Sequence, residues 1–315
     1  MHSSPVPLWA WLAFHVVIFA ILALDLGVLS KKNATPSVSS ALRWTLFWIA
    51  LSLAFCGVLH FQLGAQKSGE WLSAYVLEYA LSVDNIFVFL VVFRFFAVPG
   101  ELQHKVLFWG ILGAFVLRAA MIFAGAAAVQ RFAWVEVLFG AFLIYTAWKL
   151  AFASENEVEP GSNPALKLLR RVVPVSDSYD GARFWTMENG RRAATPLLAV
   201  LLVIETTDLL FAVDSIPATL SVVKSRDTFV AYTANICAIL GLRSLFFAVA
   251  GVMDLFHYLK YGLSLVLAFV GVKMLAAFLF HVHIPTFASL GAIILILAAS
   301  VLLSVLRPHR PNSVP

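Results

Sequence analysis

The chain has 315 residues, of which 61% are hydrophobic and only 12% charged. Soluble domains carry about 25% charged residues, so this composition excludes an ordinary soluble enzyme and leaves no stretch for a large soluble domain. The formal net charge of +5 does not mark a nucleic-acid binder, because the basic residues are scattered between apolar runs.

Leu8–Leu29 is the first run long enough to cross a bilayer. It lacks the basic n-region of a cleaved signal and carries Asp25 in its second half, so it is expected to stay as span 1. Residues 42–61 form span 2, with no charge after Arg43. Span 3, residues 71–93, contains Glu78, Asp84 and Asn85. Span 4, residues 106–129, has Arg118 near its middle, and span 5, residues 132–152, has Glu136 and Lys149 near opposite ends.

Residues 153–195 then turn polar, with charges, prolines and glycines, and are expected to form a loop or a small surface element. The glutamates Glu155, Glu157 and Glu159 are expected to be solvated. Apolar runs resume at 196–220 (span 6), 229–253 (span 7, with Arg243), 261–280 (span 8, with Lys273) and 286–306 (span 9). The predicted fold is therefore all-α, one polytopic transmembrane helix bundle of about nine spans over residues 1–306, followed by a short disordered tail, 307–315. With the N-terminus outside and the C-terminus inside, the inner segments hold 14 Lys and Arg and the outer ones four. Positive charge collects on the cytoplasmic side, which makes the 153–195 segment cytoplasmic and the host a cytoplasmic (inner) membrane.

Residues 205–217 read ETTDLLFAVDSIP, three carboxylates at membrane depth with no base among them. Intramembrane charge is costly and persists where it meets a partner, a cavity or an ion. Residues 78–86, EYALSVDNI, echo that stretch. Aligned on Asp84 and Asp214, Glu78 falls on Asp208 and Asn85 on Ser215. Arg118 then answers Arg243 and Lys149 answers Lys273, at intervals of 34 against 29 residues and 31 against 30. Three spans are an odd number, so the second unit (about 196–280) would enter the membrane opposite to the first (about 71–152), as an inverted repeat. A substrate site is expected between such units.

Seven acids (Asp25, Glu78, Asp84, Glu136, Glu205, Asp208, Asp214) face four bases (Arg118, Lys149, Arg243, Lys273) inside the apolar runs. Cations or protons would balance that excess. Glu78, Asp84, Asn85, Glu205, Asp208, Asp214 and Ser215 offer hard oxygens, which suit manganese, magnesium or calcium. Asp25 is expected to line the path, and the bases to compensate the acids. His15, His60, His104, His257, His281 and His283 are expected to be packed or interfacial, and Cys56 and Cys237 to be buried hydrophobes. On a straight helix Asp214 lies about 180° from Glu205. Pro217 is expected to kink the helix and free the Val213 carbonyl as a further ligand. Without a kink the acids form a relay rather than one cage. No GxxxxGK[ST] loop is present, so a gradient is the expected energy source. No nucleophile–base pair marks an enzyme, an intramembrane carboxylate hydrolase being the enzymatic alternative.

With Glu78, the run SVDN at 82–85, LLFAVDSIPA at 209–218 and ILGLR at 239–243, the chain resembles the TerC family of integral membrane proteins, most closely its Alx-type members, over roughly residues 8–306. The family is named for tellurium resistance. The resemblance implies metal-ion homeostasis, chiefly manganese export, and kinship with LysE-like exporters built on inverted three-span repeats. Plant relatives imply the other reading, a non-transporting factor for membrane-protein insertion or assembly. The expectation is thus a secondary transporter exporting a divalent cation, manganese(II) first, by proton exchange. No resident cofactor is expected, and the partners are the cation, protons and the bilayer.

Overall fold

The computed structural model describes residues 6–29, 37–132, 134–152, 161, 163–188, 190–224, 227–250, 258–282 and 284–306, without the side chains of 22–29, 83, 84 and 87. The helices are α1 (Leu8–Leu29), α2 (Val38–Phe95), α3 (Gly100–Arg131), α4 (Trp134–Phe152), α5 (Pro164–Val172), α6 (Pro196–Val222), α7 (Thr228–Leu240), α8 (Leu242–Ala250), α9 (Leu259–Phe280) and α10 (Thr286–Leu306). A two-stranded antiparallel hairpin, β1 (Trp185–Glu188) and β2 (Arg191–Ala194), precedes α6. Most of these helices are apolar on every side, so only packing and lipid can satisfy them. The protein is an integral, multi-pass, all-α membrane protein.

By length and composition the described residues supply six helices able to cross a membrane, or seven if α7 and α8, bent by 43°, form one span. Nine separate runs are expected from the sequence. Part of the difference lies in α2, where two apolar runs join into one element of 58 residues. Kept straight, such a helix would measure about 87 Å, nearly three times the hydrocarbon thickness. It is not straight. Gly64 adopts φ 85° and ψ 172°, a conformation glycine reaches without steric cost. Beyond it the chain folds back. The Cys56 thiol donates to the Ser68 carbonyl at 3.5 Å, and the Phe55 and Trp71 rings lie 5.7 Å apart. Twelve residues of continuous helix would separate Cys56 and Ser68 by about 18 Å. The two arms of α2 are therefore antiparallel neighbours.

Side-chain contacts give the directions of other pairs. Arg118 meets Asp208, Gly110 abuts Ile204, and Gly125 abuts Ile216 and Leu220, so α3 and α6 run parallel. Asn85 reaches Asp208 while Glu78 reaches Thr219, so the second arm of α2 opposes α6. Trp11 packs on Phe123 and Phe19 on Phe115, which sets α1 against α3. Helices α4 and α9 approach most closely through glycines. A Cβ on Gly271 would lie 2.8 Å from the Gly140 carbonyl oxygen, and one on Gly140 would lie 3.2 Å from that of Gly271. Small residues allow such approach where no water drives helix association.

His15 is a packed histidine. Its Nδ1 donates to the Trp11 carbonyl at 2.8 Å, and its Nε2 accepts from the Tyr232 hydroxyl at 2.8 Å, within a cluster of aromatic rings from α1, α3 and α7. Both cysteines are free thiols. Residues 163–188 and 190–195 form a small surface element, one of the two forms expected for this segment. Asn163 caps α5, and a parallel bridge joins Val175 to Ala194. The Tyr179 hydroxyl donates to the Phe96 carbonyl at 2.8 Å, tying this unit to the turn between α2 and α3. Burial pushes the Tyr179 phenol up from its ordinary value, so it stays a donor at neutral pH. The glutamates Glu155, Glu157 and Glu159, His257, His283 and the 307–315 tail lie outside the described residues.

Candidate functional site

Residues of α3 recur on its buried face every four positions, at Gly110, Ala114, Arg118, Ile122 and Ala126. That period holds Arg118 on the inward stripe among small neighbours, and its side chain is fully buried. Glu78, from the second arm of α2, is also fully buried, and Asp208, from α6, is 3% exposed. Arg118 grips Asp208 with two atoms, Nη2 to Oδ1 at 2.8 Å and Nε to Oδ2 at 3.2 Å. Its Nη1 forms an ion pair with Glu78 Oε1. Thr219 donates to Glu78 Oε2 at 3.3 Å, and Asn85 Nδ2 approaches Asp208 Oδ1 at 3.5 Å. Two carboxylates thus share one guanidinium, an arrangement that leaves one negative charge uncompensated within the triad when all three are ionised. The two acids are those aligned with each other in the twin acidic stretches.

Asp214 is half-buried on α6 and accepts from the Thr146 hydroxyl at 3.1 Å. It lines a cavity of about 180 Å³ whose polar wall is Asn85, Thr146, Lys149, Asp214 and Ser215. Asn85 belongs to both the cavity and the triad, so the two are adjoining. The Ser215 hydroxyl is buried without a hydrogen-bond partner among the described residues. So is Oε2 of Glu205. That carboxylate lies against Gly113 of α3, where any Cβ would collide with it. Buried polar atoms are nearly always satisfied, so these two oxygens are places where a water, a proton or a cation would gain a ligand.

The structure does not gather the acids into one cage. Among the described residues no three His, Cys, Asp or Glu side chains converge as a metal site would require. Helix α6 continues through Pro217 to Val222 as a single helix. The backbone therefore stays helical through Pro217, and the proline's missing N–H still deprives the Val213 carbonyl of its helical partner. With the helix unbroken, the angular offset between Glu205, Asp208 and Asp214 persists, and they point respectively toward α3, the triad and α4. The side chains of Asp25 and Asp84 lie outside the described ones. Arg243 is buried on α8 and Lys273 on α9.

Three residues that composition and spacing do not single out join the polar interior. Glu70 is fully buried, accepts from Gln66 Nε2 at 3.3 Å, and acts electrostatically on Lys273. It sits one position before the span 3 run, so a boundary drawn by hydropathy left it out. Thr146 and Thr219 carried little signal, because a threonine in an apolar helix ordinarily bonds back to its own turn.

The model of the family described as integral membrane protein TerC matches residues 63–312. A relative from Myxococcus xanthus, "Uncharacterized membrane protein STKORF319", is 45% identical over 304 residues, covering 96% of this chain and 94% of that protein. "Putative membrane-bound redox modulator Alx" from Photorhabdus laumondii is 42% identical over 314 residues, covering 97% of each. The protein of the same name from Escherichia coli K12 is 40% identical over 314 residues, covering 96% of each. No solved structure matches the chain.

Proposed function

The chain belongs to the integral membrane protein TerC family, and from that premise we propose that it is a secondary transporter exporting a divalent cation, manganese(II) foremost, across a cytoplasmic membrane. The observation that carries this reading is the polar seam inside the bundle. A charge-unbalanced triad of Glu78, Arg118 and Asp208 adjoins a cavity bearing Asp214, and hard oxygens of Glu205 and Ser215 without a partner among the described residues belong to the same seam. Such groups are expensive in lipid and mark an ion or proton path. Oxygen-only ligands favour manganese, magnesium or calcium over zinc by ligand type.

The distribution of the acids favours a relay, in which the ion passes between partial sites and no single cage forms. Carboxylates must lose a proton to bind metal, so cation and proton compete for the same oxygens, which is the basis of antiport. Arg118 serves as the internal counter-ion, and Asp25, Asp84, Arg243, Lys149 and Lys273 line or balance the path. No resident cofactor and no enzymatic step enter this scheme.

Nine spans and an inverted repeat complete the reading. The reversal at Gly64 divides α2 into two crossings, α7 and α8 form one bent crossing, and α1 supplies another. The opposed course of α2's second arm and α6 is what an inverted repeat requires of equivalent helices. So is the parallel course of α3 and α6, which belong to different units and stand one position apart within them. The lysine and arginine bias puts the N-terminus outside and the C-terminus inside.

The test is flux in proteoliposomes with a panel of divalent cations, paired with internal pH. Manganese movement that drives opposite proton movement is expected. Zinc flux above manganese flux would remove the ion assignment, and manganese flux without proton movement would remove antiport. Absence of flux for every ion would favour the non-transporting assembly factor.

A further inference from the structure

The unit between α4 and α6 has a structured outer surface that the transport scheme does not use. On α5, Leu166 is buried and Leu169 packs beneath the helix against the bundle. At 100° per residue, Lys167 and Arg171 stack on one outer edge and Leu168 and Val172 on the next. The basic pair is exposed, and the apolar pair is 63% and 72% exposed. The hairpin repeats this combination. Trp185 and Met187, two residues apart on β1, are 45% and 67% exposed, and Met187 stands opposite the exposed Arg192 on β2. The acids of the unit are Asp177, Asp180 and Glu188. Asp180 lies 3.6 Å from Arg183, and Glu188 stands opposite Arg191. From 163 to 195 six basic residues outnumber these three acids.

This surface is held at the membrane boundary. The Ala194 amide donates to the Pro174 carbonyl at 2.9 Å, which pins the end of α5 to β2. Thr195, the next residue, is the N-cap of the spanning helix α6. Lys105, near the start of α3, donates to the Ala182 carbonyl and sits 4.6 Å from the Phe184 ring centre. An orientation signal needs only the positive charges. It gives no reason to expose leucine, valine, tryptophan and methionine beside them, which in water is a cost. At an interface both halves are satisfied, the apolar side chains by the acyl boundary and the cations by phosphate.

We infer that Lys167, Arg171 and Arg192, with Leu168, Val172, Trp185 and Met187, form a docking surface for anionic phospholipid headgroups of the leaflet bordering α6. The charge complementarity selects anionic over zwitterionic lipid, and the flanking apolar side chains place the contact at headgroup depth. This surface works independently of any transported ion.

The test uses the full chain with Leu168→Cys labelled by bimane, in nanodiscs of phosphatidylcholine with and without phosphatidylglycerol. The chain lacking the introduced cysteine sets the background from Cys56 and Cys237. Headgroup-spin-labelled phosphatidylglycerol is expected to quench the label more strongly than the phosphatidylcholine analogue at equal mole fraction, by roughly fivefold for even one effective cation. Adding Lys167→Gln and Arg171→Gln, both at exposed positions, should lower the ratio while quenching by both lipids persists. Equal quenching in the parent chain, or an unchanged ratio in the double variant, would overturn the headgroup assignment. No quenching by either lipid would place the face in water, overturn the proposal and leave the surface to a soluble partner.

Discussion

Arg118 answers two carboxylates with one charge, and its side chain is fully buried. Removing one partner of a buried ion pair costs about 3–5 kcal/mol, because the other is left charged and unsolvated. Arg118→Gln is therefore expected to lower the unfolding temperature of the purified protein substantially. Arg118→Lys should do so less, since it keeps the charge but loses the planar fork that engages both Asp208 oxygens. Equal melting of all three proteins would show that the triad is not the bundle's lock. Asp214 is a different case. It is half-buried, and among the described residues its hydrogen bond comes from the neutral Thr146 hydroxyl. Asp214→Asn keeps an acceptor there and should leave the folded protein in the membrane while abolishing flux. Protein missing from the membrane fraction would instead assign Asp214 a structural role.

Two glycines separate backbone need from packing need among the elements. Gly64 holds φ 85°, and a Cβ there would meet no atom within 4 Å. Gly64→Ala should therefore cost only the conformational penalty, about 1–3 kcal/mol, read as a lower midpoint of thermal unfolding. Gly113 is the reverse, an ordinary helical residue over which the Glu205 carboxylate rests. Gly113→Ala should force that carboxylate to move and reduce flux. Gly57→Ala is the control within α2's first arm, since its Cβ meets nothing within 4 Å. Flux unchanged in Gly113→Ala would take Glu205 off the path.

For the molecule as a whole, the direction of transport depends on orientation. Reporter fusions after residue 160 should read cytoplasmic, and fusions at Lys67 external. Lys67 is also where the α2 turn joins the start of α7, through its 2.6 Å bond to Asp227, so both elements should report the same side. A periplasmic signal at residue 160 would reverse the orientation and with it the sense of export.

The residues themselves determine that this is a polytopic helical membrane protein, because hydropathy is a local sum over about 20 residues. They also single out Glu78, Arg118, Asp208 and Asp214, since charges inside apolar runs stand out against their surroundings. Which acid shares which charge was not legible. Angular offsets on one helix show that Glu205, Asp208 and Asp214 diverge, but not that Asp208 would find Glu78 across the same guanidinium, 90 residues from Arg118 in one direction and on another helix in the other. Pro217 shows the same limit, since a local rule marks a disturbance of the helix while the backbone stays helical through it to Val222. Glu70 was lost at a boundary that hydropathy places only approximately. The kind of surface element between the spans is not legible either, because a nine-residue helix and two four-residue strands are too short to stand alone. They hold their shape only against the bundle, through Tyr179 and Thr195, and such long-range contacts exist only once the chain has folded.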